Sequence, residues 1–230
     1  MDYRVENKYL VSDTELYVIG HRLRPFMAFD RNQQGDSYEI RSIYFDDIRD
    51  SCLEENDAGV DARLKYRIRS YGPDFDFLRL EIKEKLNGYT RKYSCPISMA
   101  EFEAIMQGGD SLGFGQRSPL NRLLLHMRCD MLRPRLIVKY ERSAFIHPSG
   151  NVRVTFDRNI SASLRLDEFF SPAVSACVPV LPRNMHVLEV KYDELLPDTV
   201  AAQLETGRLQ KSAFSKYYLG RLAVNNQFLL

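Results

Sequence analysis

The feature that most constrains the fold is a stretch in which basic and apolar side chains alternate strictly. From Arg63 to Arg69 every odd position is Arg or Lys, whereas the even positions are Leu64, Tyr66 and Ile68. A period of two places alternate side chains on opposite faces of a β-strand. The sequence therefore predicts a strand with one cationic face and one apolar face.

The same alternation recurs in other segments of the chain. Further polar faces are formed by Arg79, Glu81, Lys83 and Lys85, by Asn151, Arg153, Thr155 and Asp157, and by Glu189, Lys191 and Asp193. For one strand alone, a solvated sheet face is the simpler explanation. Across several strands the cations would repel one another, and a bound polyanion would remove that cost.

Eight segments with strand-like alternation are separated by turns and by inserted helices. They are residues 3–11, 38–46, 62–71, 75–85, 88–97, 135–146, 151–157 and 186–192. Regular β-α-β alternation is absent, which favours an α+β fold with an antiparallel sheet. If the sheet closes into an eight-stranded β-barrel, its apolar face packs against the helices and its charged face lines a tunnel.

Helices are expected at five places. Two begin at capping-box spacings, in which Ser12 precedes Glu15 and Ser98 precedes Glu101 by three residues. The other three are expected from 118 to about 132, from 197 to about 207, and from 211 to the C-terminal end.

Charge and composition exclude several classes of protein. The 32 basic and 31 acidic residues give a net charge of +1, and there is no Trp, so nucleic-acid binding is not expected. The four cysteines form no CxxC pair and are expected to be reduced thiols. No signal-like segment is present, and no apolar run approaches the ~20 residues of a membrane span. We therefore expect one cytoplasmic domain over residues 1–230, without direct membrane insertion.

Motifs in order along the chain identify a family. They are Arg4-Val5-Glu6-Asn7-Lys8-Tyr9, Ser42-Ile43-Tyr44-Phe45-Asp46, Arg63-Leu64-Lys65-Tyr66-Arg67-Ile68-Arg69, Leu80-Glu81-Ile82-Lys83, Val138-Lys139-Tyr140-Glu141-Arg142, Val152-Arg153-Val154-Thr155-Phe156-Asp157, Leu188-Glu189-Val190-Lys191-Tyr192 and Phe214-Ser215-Lys216-Tyr217-Tyr218. Together they resemble the VTC domain, the polyphosphate polymerase domain of the vacuolar transporter chaperone complex and its bacterial relatives. That family is a branch of the triphosphate tunnel metalloenzymes.

The resemblance implies a closed tunnel that binds ATP and a divalent cation, Mn2+ or Mg2+, and transfers the γ-phosphoryl group to a growing inorganic polyphosphate chain. The implied phosphate ligands are Lys8, Arg67, Arg69, Lys83, Lys92, Tyr140, Arg142, Arg153, Ser215 and Lys216. Of these, Arg67, Arg69, Lys83, Arg142 and Lys216 would be catalytic. The implied metal ligands are Glu189 and Glu6. Tunnel enzymes outside the VTC branch usually carry a glutamate where this chain has Arg4.

Several alternatives remain open at this point. The function could be hydrolysis of inorganic or nucleoside triphosphate, or non-catalytic sensing of polyphosphate or nucleotide. Arg67 and Arg69 could pair with Asp46 or Glu81, and Glu189 with Arg153 or Lys191. The face on which Tyr140 and Arg142 lie follows only from the resemblance. The Asp46-Asp47 pair is interpreted as turn chemistry rather than metal binding.

Overall fold

The computed structural model describes residues 4–31, 33, 35–72, 77–87, 89–207 and 209–227. Parts of three predicted strands, at Tyr3, at Phe75 and Asp76, and at Gly88, lie outside these residues, as do 228–230 of the last predicted helix. In the described part of the chain, none of the helices is long and apolar enough to cross a membrane.

The described residues form ten strands and six α-helices. The strands are β1 (Val5–Ser12), β2 (Ala28–Phe29), β3 (Tyr38–Asp46), β4 (Arg63–Tyr71), β5 (Leu78–Leu86), β6 (Tyr89–Ile97), β7 (Arg133–His147), β8 (Val152–Ser163), β9 (Val178–Pro179) and β10 (Met185–Tyr192). The helices are α1 (Asp13–Leu23), α2 (Ser51–Asp57), α3 (Met99–Met106), α4 (Ser118–Cys129), α5 (Asp198–Leu204) and α6 (Lys216–Gln227). The predicted α+β class and antiparallel sheet are confirmed.

Local sequence signals account for the starts of two helices. The Ser12 hydroxyl accepts from the Glu15 backbone N–H, and the Glu15 carboxylate accepts from the Ser12 N–H at 2.8 Å. The same reciprocal pair joins Ser98 and Glu101 at the start of α3. Each pair satisfies two backbone donors that the first helical turn leaves without partners, and both predicted capping boxes are confirmed.

The chain divides into two compact units, each built from three separate segments. Unit 1 comprises Met1–Glu39, Tyr140–Ile160 and Pro179–Phe214, and unit 2 comprises Ile40–Lys139, Ser161–Val178 and Ser215–Leu230. Strands β3, β7, β8 and β9 contribute residues to both units. The single domain expected over 1–230 stays a prediction.

Unit 1 is a sheet with one apolar face covered by helix. Its hydrogen-bonded order is β1-β10-β8-β7, with β2 paired to β7. The core on this face contains Ile19 and Leu23 of α1, Phe145 of β7, Val154 of β8 and Val200 of α5. Because side chains alternate along each strand, the opposite face of β8 and β10 carries the charged residues.

Unit 2 repeats this arrangement with the order β7-β3-β4-β5-β6. Ile68 of β4 and Leu80 and Ile82 of β5 form its core with Phe102 of α3 and Leu123 of α4. All five side chains are nearly or fully inaccessible to solvent. The cationic face that the sequence predicts for β4 and β5 is therefore the face turned away from α3 and α4.

The expectation of a closed barrel is wrong, because the sheet is open. Among the described residues the strand order ends at β1 and at β6, and no ladder joins these two strands. The free edge of β1 is engaged by a later segment, since the Lys8 carbonyl accepts from the Ser212 N–H at 2.9 Å. The other edge strand, β6, carries exposed Arg91 and Lys92 and includes Pro96, all typical of an unpaired edge.

Candidate functional site

The charged face of β4, β5 and β6 in unit 2 has a large excess of positive charge. Direct cross-strand neighbours share a face, and the pairing places Lys65 opposite Lys83 and Lys83 opposite Lys92. Within the described residues of these three strands, this face carries eight cations and a single carboxylate, Glu81; the cations are Arg63, Lys65, Arg67, Arg69, Arg79, Lys83, Lys85 and Lys92. An anionic ligand would relieve the repulsion among them. We refer to this surface as the cationic face.

Glu81 is the centre of the ion pairs on the cationic face. Its side chain is only 2% exposed, and its Oε2 lies 2.6 Å from Arg67 Nη2 and 3.7 Å from Arg69 Nη1. Lys92 pairs with the other oxygen. Burial alone would raise the pKa of Glu81, but these three cations outweigh it and hold the pKa well below its usual range. Glu81 is therefore ionised. Of the two partners left open for Arg67 and Arg69, the structure shows Glu81.

Tyr44 of β3 borders the same residues. Its hydroxyl oxygen accepts a hydrogen bond from Arg67 Nη1 at 3.0 Å, and the phenol ring is 6% exposed. Burial tends to raise the pKa of this phenol, but Arg67, Arg69 and Lys216 outweigh burial and lower the pKa to about 8. The three cations therefore make the surroundings of this phenol strongly positive.

The start of α6 adds a hydroxyl and a lysine to unit 2. The Ser215 hydroxyl accepts from Lys65 Nζ at 3.0 Å and from the Tyr218 N–H at 3.3 Å, so it caps the helix that begins at Lys216. Lys65 Nζ also donates to Asn56 Oδ1 at the end of α2, at 2.5 Å. The first backbone N–H groups of a helix favour an anion, and here two cationic side chains accompany them.

The anchor of this helix is a buried hydrogen-bond network. Tyr217 donates to Asp46 Oδ2 at 2.5 Å and accepts from Arg221 Nη1 at 2.7 Å. The Asp46 carboxylate also accepts the backbone N–H groups of Cys52 and Leu53, which begin α2. Asp46 is therefore a structural residue, in agreement with its interpretation as turn chemistry.

In unit 1, β1 and β10 bring two carboxylates and two lysines together. The register pairs Glu6 with Lys191 and Lys8 with Glu189. Lys8 Nζ lies 3.1 Å from Glu6 Oε1 and 3.8 Å from Glu189 Oε1, and Lys191 Nζ lies 3.5 Å and 3.3 Å from the other oxygens of the two glutamates. Glu189 is 6% exposed. The predicted metal ligands Glu6 and Glu189 therefore share two ammonium partners, Lys8 and Lys191. Lys191 is one of the two partners that the sequence left open for Glu189.

The remaining predicted ligands of unit 1 lie on β7 and β8. Arg142 donates from Nε and Nη2 to the two oxygens of Asp157, at 2.6 and 2.7 Å, and Asp157 is fully buried. Phe145 belongs to the apolar core, so Tyr140 and Arg142, of opposite parity, lie on the polar face. Arg153 pairs with Asp30 at 2.7 Å.

Comparison with known proteins decides the family. The model of the VTC domain family matches residues 3–225, nearly the whole chain. The chain belongs to the VTC domain family. No curated protein matches this VTC domain.

Comparison with solved structures finds two matches that cover most of this VTC domain. A Bacillus halodurans protein, named as a candidate adenylate cyclase, has a TM-score of 0.51 and 12% identity, over 88% of this chain and 86% of its own. A Pyrococcus horikoshii protein has a TM-score of 0.48 and 16% identity, over 98% and 99%. At these identities the first likeness shows a shared fold and nothing about activity.

The two glutamates of unit 1 fit a divalent metal only in part. The described residues of the VTC domain contain no cluster of three or more His, Cys, Asp or Glu side chains that could hold a metal ion. Mg2+ is nevertheless commonly bound by one or two carboxylates, with substrate phosphates and water completing its shell. Glu6 and Glu189 supply such a pair of carboxylates, so the chemistry of the donor set is compatible with Mg2+ or Mn2+.

The structure groups the predicted site residues without testing their roles. Unit 2 brings Arg67, Arg69 and Lys92 to Glu81 and puts Ser215 and Lys216 at the start of α6. It also places Lys83 between Lys65 and Lys92, and we call these three residues the lysine row. Unit 1 brings Lys8 to Glu6 and Glu189, and Arg142 to Asp157. Binding of phosphate by these residues stays a prediction. Sequence reasoning missed Lys65 and Tyr44, although the alternation of β4 already placed Lys65 on the cationic face.

Proposed function

We propose that this VTC domain is a phosphotransferase that moves the γ-phosphoryl group of ATP onto an inorganic polyphosphate chain, with Mn2+ or Mg2+ as cofactor. The observation that carries the proposal is the cationic face of β4, β5 and β6, whose described residues include eight cations and a single carboxylate, Glu81. Membership of the VTC family supports the choice of an extended phosphate chain as the anion.

The residues of the cationic face supply what phosphoryl transfer requires of a protein. The reaction needs charge neutralisation and an in-line arrangement of attacking and leaving groups, with little covalent chemistry. Arg67 and Arg69 present planar guanidinium groups that can contact two phosphate oxygens each, whereas Lys83 and Lys216 act as compact point charges. Polyphosphate would replace part of the charge that Glu81 now supplies.

Glu189 and Glu6 are the residues that would hold the metal. A bound divalent ion would neutralise phosphate oxygens and stabilise the charge that develops as the bond to the leaving group breaks. Lys8 and Lys191, which pair with both carboxylates, would hold the two side chains in place until a metal binds.

The test is an incubation of the purified protein with ATP and Mn2+, followed by gel electrophoresis with a dye whose colour shifts on polyphosphate. Long phosphate chains are expected. Release of orthophosphate alone would reject the polymerase and leave a triphosphatase. Triphosphate binding that persists in chelator, with no turnover under any divalent ion, would instead indicate a sensor.

Two variants separate the roles of the two groups of residues. Arg67→Ala should weaken triphosphate binding without unfolding the protein, because the side chain is 26% exposed and lies outside the apolar core. Arg122→Ala is the matched control, since Arg122 pairs with Glu84 on the opposite side of β5. Glu189→Gln should abolish metal-dependent turnover while nucleotide binding remains. Turnover equal to that of the wild type would show that the metal is held elsewhere.

The proposal includes a cytoplasmic location with ATP as the phosphoryl donor. The four cysteines are free thiols, which is the state expected in a reducing compartment. Fractionation of cells that produce the tagged protein would test the location.

A further inference from the structure

The hydroxyl of Tyr44 is buried and accepts one hydrogen bond, but among the described residues it donates none. The side chain is 6% exposed and its ring stacks on Tyr217, with centroids 5.5 Å apart and an interplanar angle of 29°. The oxygen accepts from Arg67 Nη1 at 3.0 Å. Among the described residues, no acceptor is recorded for the proton of the Tyr44 hydroxyl.

The neighbouring phenol shows what a satisfied hydroxyl looks like in the same place. Tyr217 both donates, to Asp46, and accepts, from Arg221. Buried O–H groups in folded proteins nearly always find an acceptor. The acceptor for Tyr44 would have to lie next to Arg67, where an oxygen atom with negative charge is favoured most.

We propose that Tyr44 is a further phosphate-binding residue, whose hydroxyl donates a hydrogen bond to a phosphate oxygen of the substrate held by Arg67 and Arg69. The same hydroxyl makes the site sensitive to pH, because the phenolate has no proton to donate and repels the anion. This inference rests on the proposed function, since it takes polyphosphate or the triphosphate of ATP as the ligand.

The groups that face Tyr44 set the pH at which this change occurs. Strand β4 contributes Arg67 and Arg69, and helix α6 contributes Lys216 and Tyr217. Glu81 of β5 forms an ion pair with Arg67. The three cations outweigh burial and lower the pKa of Tyr44 to about 8. Burial, followed by the hydrogen bond to Asp46, raises the pKa of Tyr217, so Tyr217 stays protonated.

The direction of the linkage follows from charge. Because the anion favours the protonated phenol, binding should raise the pKa of Tyr44, and ionisation of Tyr44 should weaken binding. If only the protonated form binds, a pKa of about 8 predicts a loss of affinity of about tenfold between about pH 7 and about pH 9.

The chain permits a direct measurement of this phenol. It contains no Trp, so absorbance at about 295 nm reports tyrosinate without interference. The wild type should show one tyrosine that ionises near pH 8, and Tyr44→Phe should lack it. Tyr66→Phe is the matched control, because Tyr66 lies on the apolar face of β4 and burial raises its pKa to about 12.

Binding is measured in parallel by calorimetry, with inorganic triphosphate as the probe and with chelator present to exclude metal. Addition of triphosphate should shift the tyrosine transition of the wild type to higher pH. The roughly tenfold fall in affinity should be present in the wild type and in Tyr66→Phe and absent in Tyr44→Phe. The comparison between variants cancels the titration of triphosphate itself.

The outcomes separate the two proposals. If the wild type binds no triphosphate, the proposed function fails, and the inference fails with it. If triphosphate binds but the Tyr44→Phe profile matches that of the wild type, or the early transition does not respond to the ligand, the inference alone is overturned. Should Tyr44→Phe not fold, the response of the wild-type transition still decides.

Discussion

Replacement of Glu81 by Gln should make the protein less stable and, at the same time, a better binder of polyanions. The substitution keeps the size of the side chain and removes the single carboxylate among the described residues of the cationic face. Arg67, Arg69 and Lys92 then lose their common partner. The cost of folding these cations together rises, and a bound phosphate chain would replace the counter-charge that Arg67, Arg69 and Lys92 have lost.

The magnitude follows from how deeply each partner is buried. Removing one member of a fully buried ion pair costs about 3–5 kcal/mol. Arg69 is 7% exposed and would bear that cost, whereas Arg67 at 26% and Lys92 at 54% are partly solvated. We therefore expect a loss of about 2–3 kcal/mol, which is about 4–12 °C in Tm for a chain of this length.

The assay is thermal unfolding followed by circular dichroism, with and without inorganic triphosphate at constant ionic strength. A ligand that binds only the folded state stabilises it by an amount that grows with its affinity. If Glu81→Gln binds triphosphate tenfold more tightly, saturating triphosphate adds about 1.4 kcal/mol more stability to the variant than to the wild type. Much of the gap in Tm should then close.

Glu84→Gln provides the matched control on the same strand. Glu84 lies on the opposite side of β5, where it pairs with Arg122 at 3.0 Å and is partly exposed. Its loss should cost less than about 1 kcal/mol and should leave the response to triphosphate unchanged. The reasoning is refuted if triphosphate stabilises Glu81→Gln no more than it stabilises the wild type.

Three further outcomes test the same electrostatics and the local structure. Because the pKa of Glu81 is depressed in the folded state, its stabilising effect is complete above the unfolded carboxyl pKa of about 4.3; the gap between wild type and Glu81→Gln should therefore shrink as acid melts go below about pH 4. Asp157→Asn leaves the Arg142 guanidinium buried without its carboxylate, so urea titration should show a loss of about 3–5 kcal/mol, and adding Arg142→Met should recover much of it. Ser12→Ala removes the acceptor for the Glu15 N–H and should cost about 1 kcal/mol in the same titration, whereas a loss below a few tenths would show that the cap contributes little.

Most strands were predictable because their signal is local. The alternation of β3 predicted 38–46, the observed bounds, and β4 begins one residue after its predicted start. Helix α2 was missed, because its first turn is stabilised by the Asp46 carboxylate that accepts the N–H groups of Cys52 and Leu53. The two-residue strands β2 and β9 are too short to show any period.

The closure of the sheet could not be predicted from the alternation of its strands. The period of two tells which side chains share a face, and it is the same in an open sheet and in a barrel. Closure depends on which edges find partners. Here the backbone of β1 at Lys8 is paired with the segment at Ser212, a contact between positions far apart in sequence that no local pattern indicates.

The candidate site was predictable in its charge and not in its pairing. Parity alone placed Lys65, Lys83 and Arg67 on a common face, but the register decides that lysines face lysines and that Arg67 faces Glu81. The register therefore distinguishes a sheet that is stabilised by its own ion pairs from a sheet that binds an anion. A sheet built only for stability would set a carboxylate opposite each cation, because like charges directly opposite are destabilising. The lysine row across β4, β5 and β6 forgoes that stability, and an anion bound along the row would recover it.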